Sequence, residues 1–206
     1  PVMAKHKNVC KYMDIALQHV SDNMLTKMRR HVSKAETYAL IDKFRKEVPG
    51  IHLRTTLMVG FPGETEDDFN ELKEFVQKAR FDRMGAFAYS EEEGTFGAEN
   101  FKDSISSRVK QERLDELMTL QSEISYEFNQ SRVGTEIKVI VDDFSDGVYV
   151  CRSEFESPEV DGEILVKHDS SVLGDVDPYS LIGEFIAVKV TGADEYDLIA
   201  EPIEIL

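Results

Sequence analysis

The chain has 206 residues, 41% apolar and 31% charged, room for one large or two small soluble domains with a real core. No apolar run approaches the roughly 20 residues of a membrane helix, and residues 1–14 have no apolar core followed by a small-residue cleavage site, so neither a span nor a signal peptide is expected. Two cysteines, Cys10 and Cys151, exclude a disulfide scaffold and cannot supply the ligand set of an iron–sulfur centre.

In chain order, Val9–Leu17 has strand character. Ser21-Asp22 caps a short helix that runs to Arg29-Arg30. Ser33 and Glu36 form a capping box for a second helix with apolar Leu40, Ile41, Phe44 and Val48, stopped by Pro49-Gly50. His52–Val59 is a buried strand ending in the turn Gly60-Phe61-Pro62-Gly63. Thr65 then caps a helix beginning at acidic Glu66-Asp67-Asp68, which suit the positive end of its dipole. Met84–Tyr89 is a third strand, and Glu91-Glu92-Glu93 is a solvated loop. This strand–helix rhythm predicts a parallel sheet with helices outside it. A long helix follows, from about Ser106 to Ser131, with a stripe of Leu114, Leu117, Met118, Ile124 and Phe128 broken by Gln121.

After Gly134 the pattern changes to short strands between Gly, Asp and Pro turns: Ile137–Val141, Gly147–Val150, Ile164–Val166, Phe185–Val190 and Tyr196–Ala200. Five strands of this length suit a small OB-like barrel. Two domains are therefore expected, 1–132 and 133–206. The charge is divided as unevenly. Of the formal net −16, the segment 133–206 carries −14, from 18 acidic and 4 basic residues. A surface this negative repels phosphate backbones and attracts basic partners, or simply keeps a small domain soluble.

Chemistry is expected first at Gly60-Phe61-Pro62-Gly63, where a strand hands over to a helix. Ligands of α/β folds bind beyond the carboxyl ends of strands; glycines permit close backbone approach, and Phe61 and Pro62 offer apolar surface. A tight turn without a ligand accounts for the same residues, and no phosphate-loop pattern is present. Gln18, His19 and Ser21 at the end of the first strand are the second candidate, although a lone histidine is more often structural. Arg29 and Arg30 offer two guanidinium groups that can fork onto a carboxylate, or pair with a helix C-terminus.

Taken together, Asp14–His19, Met28-Arg29-Arg30, Val59–Thr65, Tyr89-Ser90 and Glu93-Gly94-Thr95 come in the order seen in the radical-SAM methylthiotransferases, which this chain resembles along essentially its whole length. Ala193–Leu198 is similar to the last strand of their TRAM domain. Leu17-Gln18-His19 and the Asp194–Leu198 ending resemble the RimO-like branch, which modifies an aspartate of the twelfth small-subunit ribosomal protein, and a barrel at −14 is a poorer platform for tRNA than for a basic protein. The MiaB-like branch, which modifies an adenosine of tRNA, is the alternative; a non-catalytic acidic module for a basic ribosomal protein is another.

The resemblance implies the C-terminal part of a partial β/α barrel followed by a five-stranded TRAM barrel. It implies a longer parent with S-adenosylmethionine and two 4Fe-4S clusters, whose cysteines are not in this sequence. The cluster-bound cofactor would yield a radical that takes hydrogen from the aspartate β-carbon, before a methyl-bearing sulfur is installed. By position, Gln18, Gly60, Phe61, Pro62, Gly63, Tyr89 and Ser90 would line the cofactor pocket, and Arg29 and Arg30 would hold a carboxylate of cofactor or substrate. No catalytic residue and no metal ligand is expected here, and the chain alone is expected to be inactive and to carry no cofactor. A basic ribosomal protein rather than nucleic acid or membrane is the expected partner, in the cytoplasm. A sheet lacking its early strands is also expected to expose an edge.

Overall fold

The computed structural model describes residues 2–206. Its elements run α1 (Val2–Lys5), β1 (Tyr12–Gln18), α2 (Asp22–Lys27), α3 (Lys34–Glu47), β2 (His52–Val59), α4 (Glu66–Ala79), β3 (Arg83–Ala88), α5 (Phe96–Asn100), α6 (Ser107–Arg132), β4 (Glu136–Ser145), β5 (Val148–Arg152), β6 (Ile164–Lys167), α7 (Ser170–Leu173), a 3-10 turn (Pro178–Leu181), β7 (Phe185–Ala193) and β8 (Leu198–Ile205). They fall into two compact units: Met13–Ile124 with the described residues up to Lys7, and Ser125–Leu206 with Asn8–Tyr12.

The first unit is built on a three-stranded sheet in the order β1-β2-β3, with β2 and β3 parallel and in register from Arg54↔Arg83 to Val59↔Ala88. Strand β2 alternates half-buried and buried positions along its length. Its buried Leu53, Leu57 and Val59 meet Phe69, Leu72, Phe75 and Val76 of α4. The Ser33–Glu36 capping box forms at the start of α3, and the Thr65 cap of α4 turns out to be a second box with Asp68. Capping by a reciprocal pair satisfies two otherwise orphaned donors at each helix start. Gln121 interrupts the apolar stripe of α6 for a reason: it is buried, and its amide donates to the Phe81 carbonyl at 2.9 Å.

Three sequence expectations need correction here. The first strand begins at Tyr12 rather than Val9. The helix capped by Ser21 ends at Lys27, because Arg29 turns into the left-handed region with φ 55°. Residues 196 and 197 belong to the β7–β8 turn, and the last strand starts at Leu198.

The second unit contains a closed barrel in the order β4-β5-β6-β8-β7. All its neighbouring pairs are antiparallel except β6 with β8. Its interior is Val139, Val141, Tyr149, Cys151, Ile164, Val166, Ile186, Val188, Val190, Leu198 and Ala200, each at most 1% exposed. Alternation along the strands leaves the acidic residues outside. At its entry the Arg132 guanidinium pairs with Glu156 at 2.5 Å, both buried. The architecture is thus an α/β portion followed by a small all-β barrel. No helix among the described residues is long and apolar enough to cross a membrane.

Candidate functional site

The carboxyl ends of β1 and β2 open onto a cavity of about 220 Å³ lined by Gln18, Lys27, Met28, Arg30, Met58, Phe61, Phe96 and Gly97. Each polar residue is there for a local reason. Gln18 ends β1 with φ 69°, a left-handed conformation unusual for a residue with a side chain and often associated with function. Lys27 is the last residue of α2 and donates to the Gly63 carbonyl at 3.1 Å. Arg30 donates to the Ala16 carbonyl of β1. The apolar wall belongs to a cluster of Met24, Phe61 and Tyr89 packed with Met28, Met58 and Phe101.

Of the residues expected from sequence, the structure brings Gln18, Phe61 and Arg30 to this cavity; Gly60, Pro62, Gly63, Tyr89, Ser90 and Arg29 are not among its lining. The two arginines diverge. The left-handed turn at Arg29 sends its guanidinium over the Phe96 ring, 3.3 Å from the centroid, so the pair does not fork onto one ligand. The turn glycines likewise make room for lysines. Gly60 has φ 74° and the stem of buried Lys110 fills the space its Cβ would need, while Lys27 fills that beside Gly63.

Tyr89 packs edge-on against Phe61 at 5.0 Å, and its carbonyl accepts from Lys110 at 3.0 Å. Burial pushes its phenol up, and nearby Glu91, Asp103 and Glu92 add to that, so the hydroxyl stays protonated.

Behind the cavity lies a buried polar network that includes the expected His19 and Ser21 and adds Glu64, Asp68 and Arg113. The Ser21 N–H donates to His19 Nδ1 at 3.0 Å, so the neutral ring carries its proton on Nε2, 3.2 Å from Glu64 Oε1. Glu64 Oε2 accepts from the Gly60 N–H at 2.7 Å and from Arg113 at 2.5 Å. Beside it, Asp68 accepts from Ser21 Oγ, Asn23 and both the N–H and hydroxyl of Thr65, at 2.6–2.9 Å. Burial alone would raise that carboxyl, but these hydrogen bonds outweigh it and lower it to about 2. The run of acidic residues after Gly63 was legible only as a helix start; the depth of Glu64 depends on Arg113, 49 positions away.

Comparison with known proteins bears on what this site is. Residues 2–76 match the radical SAM superfamily and residues 133–203 match the TRAM domain. Among curated proteins, the chain is 67% identical to a ribosomal protein uS12 methylthiotransferase RimO of Phocaeicola vulgatus, over 97% of its own length and 44% of that protein's. It is 61% identical to that of Bacteroides fragilis (98% and 45%) and 52% identical to that of Porphyromonas gingivalis (99% and 46%). Along nearly its whole length the chain is similar to RimO proteins, with a radical SAM portion followed by a TRAM domain. It spans less than half the length of the curated relatives it matches.

The radical SAM match implies S-adenosylmethionine and iron–sulfur clusters in a longer parent protein. Such a cluster does not fit the residues present: Cys10 is exposed, Cys151 is buried, and no group of three or more His, Cys, Asp or Glu among the described residues could hold a metal ion. The organic cofactor fits in part. Apolar and thioether walls with two cations and one amide suit an adenosyl or amino-acid moiety, but ~220 Å³ falls below the roughly 300–1,000 Å³ of a complete ligand pocket.

Proposed function

We propose that this chain is part of a radical-SAM methylthiotransferase whose target is the β-carbon of an aspartate in ribosomal protein uS12, acting in the cytoplasm. Residues 1–132 would supply one wall of the S-adenosylmethionine pocket, and 133–206 the TRAM domain. The observation that carries the reading is the convergence of Gln18, Phe61 and Arg30 on one cavity at the strand ends. The relatives' names bring the substrate.

With a cluster held elsewhere in the parent protein, bound S-adenosylmethionine would supply a radical able to take hydrogen from a carbon of the substrate. The residues here bind and orient. Phe61, Met28, Met58 and Phe96 exclude water, and Gln18 offers both a donor and an acceptor. Arg30 and Lys27 keep further N–H groups beyond those given to Ala16 and Gly63, and these suit a carboxylate. Gly60, Gly63 and Tyr89 shape the wall from behind, while Pro62 and Ser90 complete the segments that carry it. Arg30→Ala in the full-length enzyme is expected to weaken cofactor binding and slow turnover; if both stay unchanged, Arg30 has no such role.

One observation favours docking of the basic substrate protein on the barrel. A cavity of about 620 Å³ is lined by Asp142, Asp143, Glu159, Asp161 and Glu163 around the single cation Arg152, over a floor that includes Val150 and Cys151. Such a surface suits a Lys or Arg stem and head, and it offers nothing to the phosphates of tRNA. Binding of the chain to uS12 and to bulk tRNA across a salt series tests this. Salt-sensitive binding to uS12 alone is expected, whereas preference for tRNA would move the assignment to the adenosine-modifying branch.

A further inference from the structure

We infer that Glu64 is the positioning residue of the cavity, holding both of its strand-end walls from one buried side chain. The inference rests on the cavity described above but not on the identity of its ligand.

The Glu64 side chain is fully buried, and the polar groups it touches come from different walls. Through Oε1 it meets His19, the residue directly after Gln18. Through Oε2 it holds the N–H of Gly60, the residue directly before Phe61. Gln18 and Phe61 both line the cavity, from the ends of separate strands. Neither local sequence holds these ends together. Gln18 sits at φ 69°, a conformation that a residue with a side chain keeps only where surroundings impose it, whereas Gly60 takes φ 74° without strain and needs only to be held in place. His19 has no freedom to rotate, because the Ser21 N–H occupies Nδ1 while Nε2 faces the carboxylate.

Arg113 supplies the charge that lets a carboxylate stay buried, and it also reaches Glu66 at 3.2 Å. Lys110, three residues before Arg113 on the same helix, fills the space beside Gly60 and bonds the Tyr89 carbonyl. Helix α6 thereby backs the turn at two successive points. The carboxylate is the common node of the His19, Gly60 and Arg113 contacts, so its geometry sets the spacing between Gln18 and Phe61.

The test uses this chain with methyl-labelled methionine, since Met28 and Met58 line the cavity from different elements. Glu64→Gln keeps the shape but turns one acceptor into a donor facing donors. His19→Leu removes the link to β1, and His19→Gln can restore a donor toward Glu64. Leu72→Ala, a fully buried core residue of α4, controls for loss of stability alone.

Glu64→Gln and His19→Leu are expected to shift the Met28 and Met58 methyl resonances and weaken binding of S-adenosylhomocysteine roughly tenfold, the loss of about one charged hydrogen bond. His19→Gln is expected to recover most of the affinity, and Leu72→Ala to change neither readout at temperatures where it is folded. Methyl resonances unmoved in Glu64→Gln, or moved as much in Leu72→Ala, would overturn the inference. Should Glu64→Gln not fold, the His19 pair decides by the same criteria. If the unmutated chain binds no S-adenosylhomocysteine, as a partial pocket allows, the methyl resonances alone decide the role of Glu64, and the cofactor reading is tested in the full-length enzyme.

Discussion

The two units bury different things. The barrel interior is apolar almost throughout, with Tyr149 as its one phenol and Cys151 as its one thiol. The sheet unit buries His19, Ser21, Glu64, Asp68, Lys110 and Arg113, all gathered toward the ends of β1 and β2. Buried charge is weak evidence for stability and costs desolvation unless fully paired. Apart from Arg83 and the Arg132–Glu156 pair at the barrel's entry, it gathers at one end of one sheet and marks where rigidity of a particular geometry matters more than stability, while the barrel keeps most of its polarity on its outer surface. The same chain thus keeps a pre-set interior site in one unit and a charged exterior in the other.

That contrast can be broken most forcefully in the barrel core. Ile186→Ala, at a fully buried position, is expected to cost about 3 kcal/mol in a denaturant titration; a loss below about 1 kcal/mol would mean that the interior is not packed as described.

In the sheet unit the corresponding effect should come from a polar group and depend on pH. Asp68, lowered to about 2 from an ordinary 3.8, stabilises the fold fully above pH 3.8, and the contribution fades as pH falls through about 2. It is worth about 2 kcal/mol. Asp68→Asn is expected to lose most of that at pH 7 and to flatten the stability profile between pH 4 and 2. An unchanged profile would show that the carboxylate is not held by Ser21, Asn23 and Thr65.

Smaller still is the barrel's internal hydrogen bond. The Tyr149 hydroxyl lies 2.9 Å from His168 Nδ1, and Tyr149→Phe should cost about 1 kcal/mol. If Tyr149→Phe is neutral, the bond gives no net stability and the interior is even more purely apolar.

The mildest probe is chemical. Burial pushes the Cys151 thiol up to about 12, whereas Cys10 is exposed. A thiol reagent at pH 8 should modify Cys10 in the native protein and Cys151 only on unfolding, with Cys10→Ser changing stability by less than about 0.5 kcal/mol. Two rapidly reacting thiols in the folded chain would contradict the burial of the barrel floor.

Where sequence pattern and local chemistry agree, the fold could be read directly. Strand β2 and the Thr65 start of α4 fall at the expected residues, since alternation and capping are local signals. Helix α5 went unseen because five residues are too few to show a period. Strand β4 runs on to Ser145 through polar Asp142 and Asp143, where a register shift against β5 makes alternation a poor guide.

At the site, Gln18, Phe61 and Arg30 were legible as polar and aromatic residues at element ends. Their neighbours Arg29 and Gly60 were not separable from them, because a backbone angle sends one away and a distant lysine occupies the space beside the other. Glu64 was hidden for the same reason: apart from Gly60 in its own turn, its partners His19 and Arg113 lie 45 and 49 positions away.

The parallel seam between β6 and β8 has a consequence for how the protein is made. Strand β8 seals the barrel by inserting between β6 and β7, yet it is the last of the five to leave the ribosome. Until it arrives, two neighbouring strands wait with unmatched backbone groups, and the partners that β6 awaits lie far along the chain, Leu198 for Ile164. Such late, non-local closure is slow and leaves sticky edges exposed in the meantime. An acidic exterior, already assembled on the four waiting strands, would keep nascent copies apart by repulsion until the seam is shut.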